Sequence, residues 1–388
     1  MTKYLLILLA IFYLTTKISI AQESEHEENN QIETTEVHEA SNEESSENHE
    51  EGGHEKFTPG TFILNHIGDS YEWHIMEIGE TAVSIPLPII VYSKTSGLNI
   101  FMSSNFHHGH EAYKGFHIST SAENKGKVVE VAEDGTEIKP LDLSITKNVM
   151  SLFISIIIIC WIFISVAKAY TRREGKAPKG LQNVFEVLIL FIRDDIAKAS
   201  IGKKKYEKYM PYLLTIFFFI FLNNLLGLVP IFPGGANLTG NIAVTMVLAV
   251  FTFLITTFSG NKAYWIHIIN APGVPWWLKI PIPLMPIVEL IGVFTKPFVL
   301  MVRLFANITA GHIIALGFFS LIFIFGNINI GAGYGISVLS VAFTIFMTLL
   351  ELLVAFIQAY VFTLLSALYF GMATEEHEHH EHAEVQKH

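Results

Sequence analysis

Cysteine is nearly absent: Cys160 alone stands in 388 residues, inside an apolar run. One thiol excludes a disulfide framework and a cysteine-based metal site. Charge is scarce too. Asp, Glu, Lys and Arg make up 16% of the chain, against 51% hydrophobic residues. No charged residue occurs from Tyr209 to Asn261, and from Met301 to Thr374 only Arg303, His312 and Glu351 break the apolar text. There is no P-loop, no glycine-rich dinucleotide pattern and no G-x-S-x-G elbow in a strand-to-helix context. An H-E-x-x-H pair at membrane depth is missing as well, which removes a zinc-dependent intramembrane hydrolase.

What is there is hydrophobic length. The mean hydropathy is +0.43, and several apolar runs approach or exceed the ~20 residues that cross a bilayer core. The fold class expected is an all-α multi-span membrane protein with a small β module before it. The net charge of −11 is unevenly placed. Most of the acid lies in two tails, and 11 of the 25 Lys and Arg lie between Lys168 and Lys208.

Taken in order, residues 1–21 read as a signal peptide: Lys3, an apolar core from Tyr4 to Thr15, and Ser19-Ile20-Ala21 as a small-x-small cleavage site. Residues 22–56 hold thirteen Glu with scattered His26, His38, His49 and His54, and should be a disordered acidic segment without a site. Residues 57–140 alternate apolar and polar positions, with Asp134-Gly135 as a hairpin turn, and read as a β module outside the cytoplasm. His107, His108 and His110 cluster there, without the spacing that fixes a metal geometry.

The membrane domain is placed at 141–374. Val149–Val166 is the first span expected. The basic loop after it belongs in the cytoplasm by the positive-inside rule, which agrees with an exported N-terminus. Within that loop Leu181–Ile196 reads as an amphipathic helix on the membrane surface. Pro211–Ile231 and Asn241–Ser259 are the second and third spans, joined by an outer turn, PGGANLTG. Trp265, Trp276 and Trp277 read as interface anchors. The last two segments, Leu284–Phe325 and Gly335–Phe370, would reach roughly 60 and 50 Å as helices, against a core of ~30 Å. They must break or tilt strongly, as a hairpin turning at Gly326–Gly335. Five spans put the C-terminus in the cytoplasm, and residues 375–388 form a solvated acidic, His-rich tail.

An arginine at bilayer depth costs ~2.5–3.5 kcal/mol on insertion scales. Arg303 therefore needs a carboxylate or a wet cavity. At ~100° per residue, Arg303 and Asn307 share a helix face, and His312 lies on the opposite side. Glu289 falls about 40° from the Arg303 face. On the last helix Glu351 and Gln358, seven apart, share a face. A hairpin can bring His312 near Glu351 and Gln358 near Arg303. Alternatives remain at this level: Arg303 paired within the chain to Glu289 or Glu351, His312 as a packed polar residue, and Asn307 and Gln358 as hydrogen-bonding glue between helices. A stand-alone secondary transporter predicts inverted repeats, and none is visible.

The stretch RLFANITAGH (303–312), with ELLVAFIQAYVF (351–362), NNLLGLVP (223–230) and GKAPKGLQNVFE (175–186), resembles subunit a of the F-type ATP synthases. The resemblance runs from about Ile145 to Thr374. It implies a non-catalytic, ion-conducting stator subunit, without a cofactor or a nucleic-acid partner. Its partners would be the ring of c subunits, the b-subunit peripheral stalk, the other synthase subunits and lipid. It implies that Arg303 faces the rotor ring, with Asn307 and Gln358 beside it. His312 and Glu351 correspond to the ionisable pair of the inlet half-channel, with acid and histidine exchanged relative to some members. Glu289 corresponds to a carboxylate of the outlet half-channel, and Asn224 to a channel-lining asparagine of the second span. Gly227 stands where some members carry an aspartate. A bacterial inner membrane is the expected location, with H⁺ or Na⁺ as the coupling ion.

Overall fold

A computed structural model describes residues 67–375 except 79–80, 110, 122, 133–134, 230–231 and 270–283, together with Gly60 and Ile63. The signal peptide, the acidic segment 22–56, His110, Asp134, Trp276, Trp277 and the tail after Glu375 lie outside the described residues.

Among the described residues the strands run from Glu72 to Asp142. β1 (Glu72–Ile78) and β2 (Thr81–Pro86) form an antiparallel pair. β3 (Pro88–Ser93), β4 (Gly97–Met102) and β8 (Leu141–Asp142) form a sheet in the order β4-β3-β8. β5 (Phe116–Ile118), β6 (Val128–Val131) and β7 (Glu137–Ile138) form another in chain order. β6 and β7 are the hairpin expected at 134–135, with Gly135 at φ +82°, a conformation that favours glycine. Ile89, Val91 and Phe101 face inward and pack with Phe106, Phe116 and Val128.

Two carboxylates are held by hydroxyls. Glu130 accepts from Ser93, Thr95 and Ser96, and these bonds keep it below the usual carboxylate range. Glu137 accepts from Asn124, Ser121 and Ser119, which bring it down to about 2. Tyr71 donates to Asp142 at 2.5 Å; burial first, then Asp142, raises its phenol. The histidine turn splits its members: His108 Nδ1 lies 2.8 Å from Glu72, and His107 Nε2 lies 3.7 Å from Glu111.

The module is joined to the first span by hydrogen bonds from backbone N–H groups. The N–H of Ile145 bonds to Pro88 O at 3.0 Å, that of Lys147 to Ser70 O at 2.8 Å, and that of Asn148 to Asp69 Oδ1 at 3.0 Å. Trp73 of β1 also meets Phe232 edge-to-face at 5.1 Å, in the loop between the second and third spans.

Among the described residues, seven helices of eight residues or more follow: α1 (Lys147–Arg172), α2 (Leu181–Phe191), α3 (Tyr206–Leu228), α4 (Ile242–Ser259), α5 (Lys262–Ile269), α6 (Leu284–Ile328) and α7 (Ile330–Thr374). Five of them are long and apolar enough to cross a membrane. Thr146 caps α1 and Asn241 caps α4, each accepting from an N–H of the first turn. Pro211 lies past the first turn of α3, where it removes one helical hydrogen bond without ending the helix.

Neither long segment breaks. α6 and α7 are 45 residues each, ~68 Å at 1.5 Å per residue. Pro297 removes one helical bond but does not end α6. The glycine run expected as a turn is mostly helix; only Asn329 separates α6 from α7, and its side chain accepts from Gly331 N–H. The absence of side chains lets the tips approach: a Cβ on Gly333 would lie 2.8 Å from Gly326 Cα. Below the tip, Phe318 and Phe343 stack at 5.0 Å. Next come Gly311 against Glu351, and Asn307 against Gln358. These contacts are rungs between antiparallel helices.

α2 differs from the surface helix expected. Phe185 packs edge-on against Phe163 of α1 at 6.0 Å and beside Phe218 of α3 at 5.4 Å, while Phe191 meets Tyr360 of α7. Its outer side is apolar as well, exposing Leu181, Val184, Val187 and Leu190. A helix apolar on both sides suits lipid or protein on its outer side better than water. The chain then runs through a π-turn (Ile192–Ala197), where Ile192 and Ile196 are fully buried, into Lys198–Ile201.

Candidate functional site

α3, α6 and α7 together place the polar residues. On α6, Arg303 is exposed and Leu304 beside it is buried. Among the described residues no ion pair joins Arg303 to Glu289 or Glu351. Its neighbourhood on α7 is Tyr369, which is within electrostatic reach of Arg303 and carries Lys296 Nζ 5.6 Å from its ring. One turn after Arg303, Asn307 Nδ2 donates to Gln358 Oε1 at 3.0 Å, and Gln358 is buried. Gln358 is thus tied to Asn307, the residue expected to share the Arg303 face.

His312 and Glu351 line one small cavity of about 20 Å³ between α3, α6 and α7. That is room for about one water. Asn307 also reaches its wall, so it lies between the Arg303 surface and the cavity. Gly311 is what lets α7 come this close: a Cβ there would fall 2.7 Å from Glu351 Oε1. Gly227 faces His312 less tightly: a Cβ there would lie 3.8 Å from Nε2, an ordinary contact. Glu351 Oε1 is buried and has no hydrogen-bond partner among the described residues.

Asn224 closes the wall from α3. It is buried, donates to Ala355 O at 3.5 Å, and accepts from the Thr239 hydroxyl at 2.6 Å. Thr239 belongs to the PGGANLTG segment, which is not the free outer turn expected. Ala236, Asn237, Leu238 and Thr239 are all buried, and three of the four line the cavity. Asn223, Asn237 and Thr239 are therefore site residues that sequence reasoning passed over. The signal was present: consecutive asparagines in an apolar span, and an N-L-T-G-N run reading only as a turn and a cap. Asn223 Oδ1 and Asn237 Nδ2 are, like Glu351 Oε1, buried without a partner among the described residues. Three such atoms stand near one water-sized space, and a bound water there could satisfy them.

Glu289 is not part of this cavity. It stands near the start of α6, close enough to α5 that its charge, after burial, raises the Tyr264 phenol.

The ATP synthase A chain family matches residues 149–371, which include all of these residues. The chain belongs to the ATP synthase A chain family. A second family, described as Domain of unknown function (DUF8433), matches residues 62–147, the strand-bearing region. Among curated relatives, ATP synthase subunit a of Chloroherpeton thalassium is 47% identical over 253 residues, 64% of this chain and 72% of that protein. ATP synthase subunit a 2 of Chlorobaculum tepidum is 47% identical over 257 residues, 64% and 69%. The Myxococcus xanthus ATP synthase subunit a is 43% identical over 248 residues, 62% and 76%. As an ATP synthase A chain with five candidate spans, it is a multi-pass membrane protein.

Proposed function

We propose that this chain is the ion-conducting stator subunit in the membrane sector of an F-type ATP synthase, and not its catalytic part. Two offset half-channels lead to a carboxylate on the rotor ring of c subunits, and Arg303 separates them. The observation that carries the reading is the split on α6: Arg303 faces outward without an ion pair to Glu289 or Glu351, while His312, nine residues on, lines a small cavity with Glu351. A cation at membrane depth that looks away from its own bundle needs a carboxylate from a partner.

The steps follow from charge and dielectric. A protonated ring carboxylate is neutral and tolerates lipid; an ionised one is stable only opposite Arg303 or in a wet channel. A proton arriving through His312 and Glu351 neutralises one carboxylate, which moves into lipid. The next enters protonated and releases its proton toward Glu289 and Tyr264. Arg303 blocks a direct path between the two sides. Each charge crossing 100 mV supplies about 2.3 kcal/mol, so several must pass for each ATP made elsewhere in the complex. Asn224, Asn307 and Gln358 position these groups. The basic 168–208 loop and the C-terminus then lie in the cytoplasm, the strand module lies on the far side of a bacterial inner membrane, and α6 and α7 cross it strongly tilted. The b-subunit peripheral stalk holds the chain still.

The test is ATP-driven proton pumping by inverted vesicles carrying Arg303→Ala, with assembly checked by pull-down. Pumping should vanish while the complex assembles. Near-normal pumping would refute the rotor-facing role and favour a structural one.

A further inference from the structure

A second cleft, of about 490 Å³, opens at the opposite end of the bundle from the strand module's junction with α1. Three spans end there: the first turn of α3, Ser259 at the end of α4, and Thr374 at the end of α7. Its wall carries Lys204, Lys205 and Lys208 against one acid, Glu207. Lys205 serves the fold, donating from Nζ to Thr374 O at 2.7 Å. Asn261 completes that helix end, with its N–H on Ala373 O at 3.0 Å and its side-chain amide on Glu375 O at 2.6 Å. The carbonyls that would otherwise draw the lysines are therefore occupied. Lys204 and Lys208 are exposed, and Lys208 Nζ stands 5.4 Å over the Tyr209 ring. That ring is buried and stacked on Phe370 at 5.0 Å, which fixes the floor of the cleft.

Beside this basic wall the surface turns apolar. Phe258, next to Ser259, is 76% exposed, and Phe251 and Val247 continue the exposed apolar surface along α4. Two exposed ammonium groups without an ion pair among the described residues and a hydroxyl at the end of a span, with an apolar track leading away, match a phosphate joined to an acyl chain. We propose that this cleft binds the phosphate of an anionic phospholipid between Lys204 and Lys208, with the Ser259 hydroxyl as a further donor and an acyl chain along α4. The leaflet concerned is the cytoplasmic one; that assignment rests on the orientation proposed above, whereas the binding itself does not depend on proton transport. Near a membrane surface each lysine is worth ~1 kcal/mol toward anionic lipid, about five-fold in affinity.

The full-length chain in detergent is titrated with phosphatidylglycerol, phosphatidylcholine or inorganic phosphate, and bound species are counted by native mass spectrometry. Phosphatidylglycerol should be retained well above phosphatidylcholine, and inorganic phosphate should not displace it. The double variant Lys204→Gln, Lys208→Gln should lower phosphatidylglycerol retention by roughly 25-fold, while Lys203→Gln, outside the cleft wall, leaves it unchanged. A chain ended after Glu375 should bind as the full chain does. Equal retention of the two lipids, displacement by inorganic phosphate, or an unaffected double variant would overturn the proposal. So would binding that appears only when the acidic tail is removed, which would make the tail the occupant.

Discussion

Replacing Gly311 by alanine separates proton transfer from helix stability. The new Cβ would lie 2.7 Å from Glu351 Oε1 and 3.3 Å from its Cγ. Ordinary contact begins at 3.4 Å, so the carboxylate oxygen must retreat by about 0.7 Å. The carboxylate ends a flexible side chain, so it can move, at ~0.5–1.5 kcal/mol for a rotamer pushed from its well. If the proton-transfer step requires the original position, that strain slows it about two- to twelve-fold. Helix propensity acts in the opposite direction, because alanine in a helix interior is favoured over glycine by ~1 kcal/mol. The expected outcome is slower ATP-driven quenching of a pH-sensitive dye in inverted vesicles, with normal assembly and an unchanged or higher melting temperature. Gly317→Ala on the same helix is the control: its Cβ meets nothing within 4 Å, so pumping should stay normal. Wild-type pumping by Gly311→Ala, or a fall in stability that accounts for the loss, would refute the placement of Glu351 in the path.

Thr239→Val removes the 2.6 Å donor to Asn224 and leaves a buried carbonyl unpaired; the cost should be ~1–3 kcal/mol, seen as a lower melting temperature together with slower pumping. Gly371→Ala should be destabilising where Gly292→Ala is not, because its Cβ would fall 2.1 Å from the backbone oxygen of Ser200, whereas Gly292 has open space; thermal unfolding of the two variants in detergent compares them. The Glu137 carboxyl is depressed to about 2 in the fold, against an ordinary 4.5, so its contribution is present above about pH 4.5 and is lost as pH falls toward 2. Melting of the full chain over that window should be pH-dependent, and Glu137→Gln should flatten the dependence.

Much of this arrangement can be read from residue order because apolar length and helical angle are local properties. Nine residues from Arg303 to His312 amount to half a turn of phase, and the fold indeed separates an exposed Arg303 from a cavity-lining His312. Contacts between distant segments are not local. Nothing in P-G-G-A-N-L-T-G marks its side chains as buried, since glycine, asparagine and threonine are equally the composition of a free turn. They fold inward because Asn224, 15 residues earlier, offers Thr239 an acceptor. The glycines of 326–335 misled in the same way: they signal a turn in isolation, but here their lack of side chains serves helix–helix approach. For α2, Gln182, Asn183 and Glu186 make only a narrow polar stripe, and only its neighbours decide which side is buried.

Two uninterrupted helices fastened along their length behave as a beam. A lone rod of ~68 Å flexes readily, and each helix here contains residues that would let it. To bend the pair, one helix must slide past the other. The rungs at Gly326–Gly333, Phe318–Phe343, Gly311–Glu351 and Asn307–Gln358 resist that shear at four levels. Two of those rungs, Gly311–Glu351 and Asn307–Gln358, involve residues of the candidate site itself. A sideways push on the exposed Arg303 surface is therefore felt first by the groups that line the cavity, and stiffness and proton chemistry draw on the same side chains.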